Sequence, residues 1–136
     1  MVLPARHRER FIERSGDSII VTADRSGECL LLYPLADWEP VERALVALPT
    51  TDPEAQLLQR ILLGHATEVP LDGHGRILLT PELREFAGLQ RQAMLLGLGR
   101  KCELWDEARW FDRRATWVKE KPDPAGRSTQ LGSLSY

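Results

Sequence analysis

The run Leu71-Asp72-Gly73-His74-Gly75-Arg76 puts an acid, two glycines, a histidine and an arginine into one short bend. An arginine carried on such a bend is a forked, permanently charged donor suited to phosphate oxygens or guanine edges. Arg76 is therefore the first candidate for a DNA contact. Its competing role is an ion pair with Asp72 that holds a hairpin shut, and the residues alone leave both open. His74 is placed at the loop tip to touch a phosphate, although a lone exposed histidine is more often only solvated. Gly73 belongs to the same tip. Gly73 and Gly75 serve backbone geometry first, because a phosphate-cradling glycine loop has a helix directly behind it and here an apolar run follows. Asp72 and Gly75 are the residues that shape the loop.

A second basic group lies at Arg6, Arg8 and Arg10. A solvated face is the default for such residues, but beside a DNA-facing loop Arg6 and Arg8 would supply phosphate contacts without sequence preference. Arg100-Lys101 is a weaker case of the same kind, and His65 has no partner spacing. No nucleophile elbow, HExxH or P-loop is present, so no catalytic residue is assigned and no enzyme is expected. Cys29 and Cys102 lack CxxC or HxxxH spacing. They read as buried free thiols, with no metal and no cofactor expected.

The elements that position these residues are written twice. Pro4 to Phe11, Ile19 to Ala23, Cys29 to Tyr33 and Trp38 are echoed by Pro81 to Phe86, Met94 to Leu98, Cys102 to Trp105 and Trp110. A helix over 4–14 buries Phe11 and Ile12, strands run over 18–23 and 28–33, and Asp37 caps a helix with Pro40 in its first turn. Asp52-Pro53 starts another helix, ended by Gly64. In the second half, strands at 67–71 and 76–79 flank the turn at 72–75 as a hairpin. A short helix from Pro81 stops at Gly88, strands lie near 93–98 and 102–105, and a helix covers 107–119.

With 136 residues, 43% of them hydrophobic, the chain has room for one compact domain or two small units sharing a core. A formal net charge of −2 argues against indiscriminate adhesion to nucleic acid or anionic membrane, though not against a segregated basic patch. Neither an apolar signal segment nor an apolar run of membrane-spanning length occurs. The chain reads as cytoplasmic, with no membrane partner.

The segment from Leu71 to Glu85 resembles the DxxxR-type signature of the SpoVT/AbrB-like fold. The blocks from Cys29 to Trp38, from Gln59 to Ala66 and from Cys102 to Asp106 narrow the resemblance to the MraZ family, over roughly residues 3–117. The resemblance implies an α+β fold of two tandem β-hairpin/short-helix repeats forming a small β-barrel-like core with peripheral helices. It implies a first repeat at 1–48, an inter-repeat helix at 49–66, a second repeat at 67–119 and a flexible tail at 120–136. It also implies a sequence-specific regulator of the bacterial division and cell-wall gene cluster, nucleoid-associated, binding repeated promoter boxes in double-stranded DNA as a homo-oligomeric ring.

One departure stands out. The family carries a DxxxR loop in each repeat, whereas here Met1-Val2-Leu3 directly precedes Pro4, so the first strand and hairpin of repeat 1 are expected to be missing. A start set downstream of the true one is favoured over a variant that lost a loop, because Val2-Leu3-Pro4 continues the motif. The alternative function is an oligomeric scaffold or partner-binding protein that lost DNA binding with that loop.

Overall fold

The computed structural model describes residues 1, 3–15 and 18–120; the tail expected over 120–136 lies outside the described residues except for Glu120. Its strands are β1 (Ser18–Ala23), β2 (Leu30–Pro34), β3 (Thr67–Pro70), β4 (Ala93–Gly97) and β5 (Cys102–Asp106). Its helices are α1 (Ala5–Ser15), α2 (Leu35–Val46), α3 (Pro53–Leu58), α4 (Pro81–Phe86) and α5 (Glu107–Lys119). The strands form one antiparallel sheet in the order β3-β1-β2-β5-β4. Among the described residues the sheet ends at β3 and β4, so the expected barrel-like core is an open sheet with helices on both faces.

The two halves meet at β2 and β5, paired Leu30↔Leu104, Leu31↔Glu103 and Leu32↔Cys102. Tyr33 and Trp105, like Trp38 and Trp110, are 72 positions apart. Shifting every residue of the seam by that interval returns the same register, so a pseudo-twofold axis passes between Leu31 and Glu103. Each half repeats an aromatic contact at its strand-helix junction: Tyr33 lies 5.3 Å from Trp38, and Trp105 lies 5.7 Å from Trp110. In the second half Trp117 joins, 5.7 Å from Trp105 and 5.6 Å from Trp110.

Alternation along the strands sends side chains to two cores. Ile19, Val21, Leu30, Leu32 and Leu104 enter one, with Leu3, Phe11, Ile77, Leu79 and Leu83. Ile20, Leu31 and Tyr33 enter the other, with Trp38 and Leu45 of α2. All five residues of β2 are buried because helices cover both of its faces.

Several expectations are corrected. Helix α2 starts at Leu35 behind Pro34, whose φ of −59° suits that position, so Asp37 lies in the first turn and is not the cap. Pro40 therefore sits inside the helix and leaves the Ala36 carbonyl without its usual donor. On α1, Phe11 is buried but Ile12 is exposed. Asp52 does cap α3, its side chain accepting from Glu54 N at 3.0 Å, but after Leu58 the helix widens into a π turn over Gln59–Leu63.

The expected strand at 76–79 is not a strand of the sheet, and it does not pair with β3, which lies on β1 instead. The segment binds the start of the chain. The Met1 amine donates to Ile77 O at 3.0 Å, Ile77 N donates to Met1 O at 2.8 Å, and Leu3 N donates to Gly75 O at 2.8 Å.

Helix α1 sets His7 against the second half. A Cβ at Gly97 would come within 2.9 Å of His7 Cε1, and His7 Nδ1 lies 3.8 Å from Cys102 Sγ. Burial first, then the charges of Arg6 and Arg10, hold the His7 pKa below its ordinary 6.5. The unfolded chain thus takes up this proton more readily than the folded one. The His7 contribution to stability is complete above pH 6.5 and is lost as pH falls below it. Thermal denaturation from about pH 7 to about pH 5 should show a falling midpoint, with a shallower fall in His7→Gln. Leu104→Ala, at the seam and fully buried, should cost about 3 kcal/mol in denaturant unfolding and leave one cooperative transition.

Candidate nucleic-acid interface

The loop at 72–76 is built around the Asp72 carboxylate. Its Oδ1 accepts from His74 N at 2.8 Å and from Arg76 N at 2.8 Å. Gly75 N donates to Asp72 O at 3.0 Å, and Asp72 N donates to Arg76 O at 3.1 Å. Gly75 takes the turn through φ of +75°, a conformation that glycine adopts without the steric penalty of a Cβ. The N–H of Arg76 above all, and that of His74, hold the exposed Asp72 carboxyl below its ordinary pKa.

These bonds resolve the alternatives for closure. Asp72 latches the loop through the backbone of Arg76 and not through an ion pair with its side chain. The Arg76 guanidinium is exposed and makes no hydrogen bond or ion pair with the described residues. Beyond the loop, burial alternates: Gly75, Ile77 and Leu79 point inward, while Arg76 and Leu78 point outward. The inward pair enters the core, so the outward aim of Arg76 follows from the packing of Ile77 and Leu79. Gly73 and His74 are exposed at the tip.

The arginines of α1 do not form one surface, because positions two apart on a helix point in different directions. Arg8 is half-buried and folds over the loop. Its Nη2 donates to Leu3 O at 3.3 Å, and a Cβ on Gly75 would come within 2.1 Å of Arg8 Nε. Arg6 is exposed, and Arg10 is partly buried.

Arg109 is a clamp that sequence reasoning missed. Its Nη1 donates to Ala87 O at 3.1 Å and to Glu28 O at 3.2 Å, tying the end of α4 to the loop before β2. Gly88, at φ of +63°, lies under the same guanidinium. The pattern of an arginine over a positive-φ glycine thus occurs at Gly75 and at Gly88. The stop signal at Gly88 was legible, but its partner is distant in sequence. His65 Nδ1 donates locally to Ile61 O at 2.7 Å, and the ring packs on Phe86 at 5.1 Å.

Both cysteines are buried and free, and burial above all pushes both thiols up. Asp24, Cys29 and Glu103 each place one potential ligand atom within 4.8 Å of the others. The thiol is held protonated, Asp24 Oδ2 already accepts from Ser26 Oγ at 2.5 Å, and Glu103 Oε1 accepts from Trp105 Nε1 at 3.0 Å. The cluster lies beside the central strands β1, β2 and β5, with both carboxylates hydrogen-bonded locally. No helix among the described residues is long and apolar enough to cross a membrane.

The fold and loop define a duplicated α+β protein that displays a latched, outward-pointing arginine. Comparison with known proteins places it further. The family model described as "MraZ protein, putative antitoxin-like" matches residues 62–127. The chain is 48% identical over 135 residues to a protein of Thioalkalivibrio sulfidiphilus named transcriptional regulator MraZ, covering 99% of this chain and 89% of the relative. Proteins of the same name in Halorhodospira halophila and Coxiella burnetii are 47% and 43% identical over 88% and 99% of this chain, and 79% and 90% of their own lengths. The chain belongs to the MraZ family, whose members here are named as regulators and not as enzymes.

Gly75→Ala should destabilise the chain by at least about 1–2 kcal/mol from the positive φ alone. In an Arg8→Ala background the penalty should shrink toward that backbone part, measured by urea unfolding of the four variants as a cycle. Equal penalties in both backgrounds would show that Arg8 does not rest on Gly75. Lowering pH through the depressed Asp72 pKa should release the loop, seen by NMR as joint shifts of the His74 and Arg76 amides below the ordinary carboxylate range.

Proposed function

We propose that this chain is a sequence-specific DNA-binding transcriptional regulator of the division and cell-wall gene cluster, acting as a homo-oligomeric ring on repeated promoter boxes. The observation that carries this reading is the exposed Arg76 guanidinium, without a hydrogen bond or ion pair among the described residues and aimed outward by a loop whose backbone Asp72 fixes. A guanidinium held ready in this way loses little freedom when it meets a phosphate or a guanine edge. The relatives' name, transcriptional regulator, supports the same reading.

In this proposal Arg76 makes the main contact, with His74 and the Gly73 backbone beside it. Arg6 adds phosphate contacts from α1. Arg8 serves the interface by bracing Gly75. Asp72 and Gly75 keep the loop in shape. Residues 1–48 and 67–119 act as the two repeats and 49–66 as their connector, and the protein works in the cytoplasm on the nucleoid. One loop contributes modest affinity; copies around a ring engage spaced boxes together, raising affinity by effective concentration. The net charge of −2 makes such summation necessary, since the chain as a whole does not attract DNA.

A mobility-shift assay on promoter DNA with repeated boxes tests this. Arg76→Ala should weaken binding at least about tenfold, with a shallower salt dependence as phosphate contacts are lost. Unchanged affinity would remove Arg76 from the interface. If the unaltered chain forms oligomers yet shifts no DNA at low salt, the scaffold reading replaces the regulator.

A further inference from the structure

Asp24, Cys29 and Glu103 come together from three adjacent strands, and the register explains how. Glu103 stands opposite Leu31 across the β2–β5 seam, so both side chains leave the sheet on the same face. Cys29 lies two positions before Leu31 and shares that face. Asp24 follows Ala23, which pairs with Leu30, and Asp24 N donates to Cys29 O at 3.1 Å. Asp24 is therefore the cross-strand neighbour of Cys29. Two donors from the first half and one from the second each offer an atom within 4.8 Å of the other two.

The thiol is the member that local bonding leaves unexplained. Cys29 is fully buried, forms no disulfide, and its Sγ makes no hydrogen bond among the described residues. A buried sulfur that faces two carboxylates and bonds to neither is explained by a ligand held between them. Each carboxylate also keeps one oxygen in reserve. Ser26 N and Oγ donate to Asp24 Oδ2 at 3.2 and 2.5 Å, and Trp105 Nε1 donates to Glu103 Oε1 at 3.0 Å. Asp24 Oδ1 and Glu103 Oε2 make no hydrogen bond, and neither acid an ion pair, among the described residues. The bonds from Ser26 and Trp105 fix the two carboxyl groups as outer partners fix metal ligands.

We infer that Asp24, Cys29 and Glu103 form a binding site for a zinc-class divalent cation that ties the first half of the chain to the second. One sulfur and two oxygens suit zinc, whereas magnesium and calcium take oxygen donors. Tetrahedral zinc holds its ligand atoms about 3.5 Å apart, so donors already within 4.8 Å of one another close on it with small side-chain movements. Water completes the fourth position. As the sulfur–zinc bond forms, the Cys29 thiol proton passes to solvent and no electron is transferred. The site uses no residue of the 72–76 loop. Its donors lie on three strands, which is why no CxxC or HxxxH spacing announces it.

Cobalt(II) titrated into the whole, reduced chain tests this, because it reports a thiolate ligand by charge-transfer absorption and tetrahedral geometry by intense visible bands. Both signals should saturate at one ion per chain, and zinc should displace the cobalt. Cys29→Ser should lose the charge-transfer band, and Cys102→Ser should keep it. Asp24→Asn and Glu103→Gln, whose amide oxygens still accept the local hydrogen bonds, should each weaken cobalt binding at least about tenfold. The near-UV circular dichroism of the tryptophans should stay unchanged in both. Zinc should also raise the urea midpoint of the unaltered chain by more than that of Glu103→Gln. Absence of the charge-transfer band from the unaltered chain would overturn the inference. So would undiminished binding in both carboxylate variants. A band lost in Cys102→Ser but kept in Cys29→Ser would overturn it too, placing the ion beside His7 on the opposite face.

Discussion

The antiparallel seam between β2 and β5 is the contact on which the rest of the structure depends. It joins two copies of one small unit about an axis at Leu31 and Glu103. Leu30, Leu32, Cys102 and Leu104 enter a single core from both sides of the axis. Once that register is set, the positions of the flanking hairpins, of α2 and α5, and of their aromatic contacts follow by symmetry. The same symmetry makes the differences between the halves visible. Among the described residues, one outer strand is covered by β3 and the other ends the sheet. One strand-helix junction is capped by Pro34, the other by Asp106, which accepts from Gln90 N and Arg109 N at 3.0 and 3.3 Å.

The loop at 72–76 is local in its latch and distant in its bracing. Asp72 closes it within the span of a turn, but Arg8 lies over Gly75, and Met1 and Leu3 hold the backbone on either side of Arg76. The start of the first half therefore clamps the display loop of the second. Ile77 and Leu79, buried by the same packing, decide that Arg76 faces out. Bracing of this kind reduces the freedom that the arginine would lose on meeting a ligand, and it ties the readiness of the loop to the stability of α1.

Much of this was legible in the chain. The duplicated aromatic spacing marked the two matching strand-helix junctions, and Asp-Gly with a second glycine implied the turn, because both signals are local or periodic; the pairing of β2 with β5 was not read from it. Asp52-Pro53 and Gly88 marked helix ends for the same reason. The start of α2 was misplaced at Asp37 although the repeat held the answer: α5 begins at Glu107, and the same interval back gives Leu35. Pairing of 75–77 with Met1 and Leu3 was hidden, since extended pairing between distant segments leaves no periodic mark. Arg8 over Gly75 and Arg109 over Gly88 were hidden likewise, being contacts between residues far apart in sequence. The outward turn of Ile12 shows the limit of counting apolar residues on a short helix, where one buried anchor, Phe11, satisfies the core.

The account turns on the tip of that loop lying against DNA. Replacing His74 with a photo-crosslinking residue and irradiating the protein with promoter DNA that carries repeated boxes asks this directly. The account predicts crosslinks from position 74 that unlabelled promoter DNA competes away, and none from the same group at Leu57, on the exposed side of α3. Crosslinking from Leu57 but not from position 74 would contradict it.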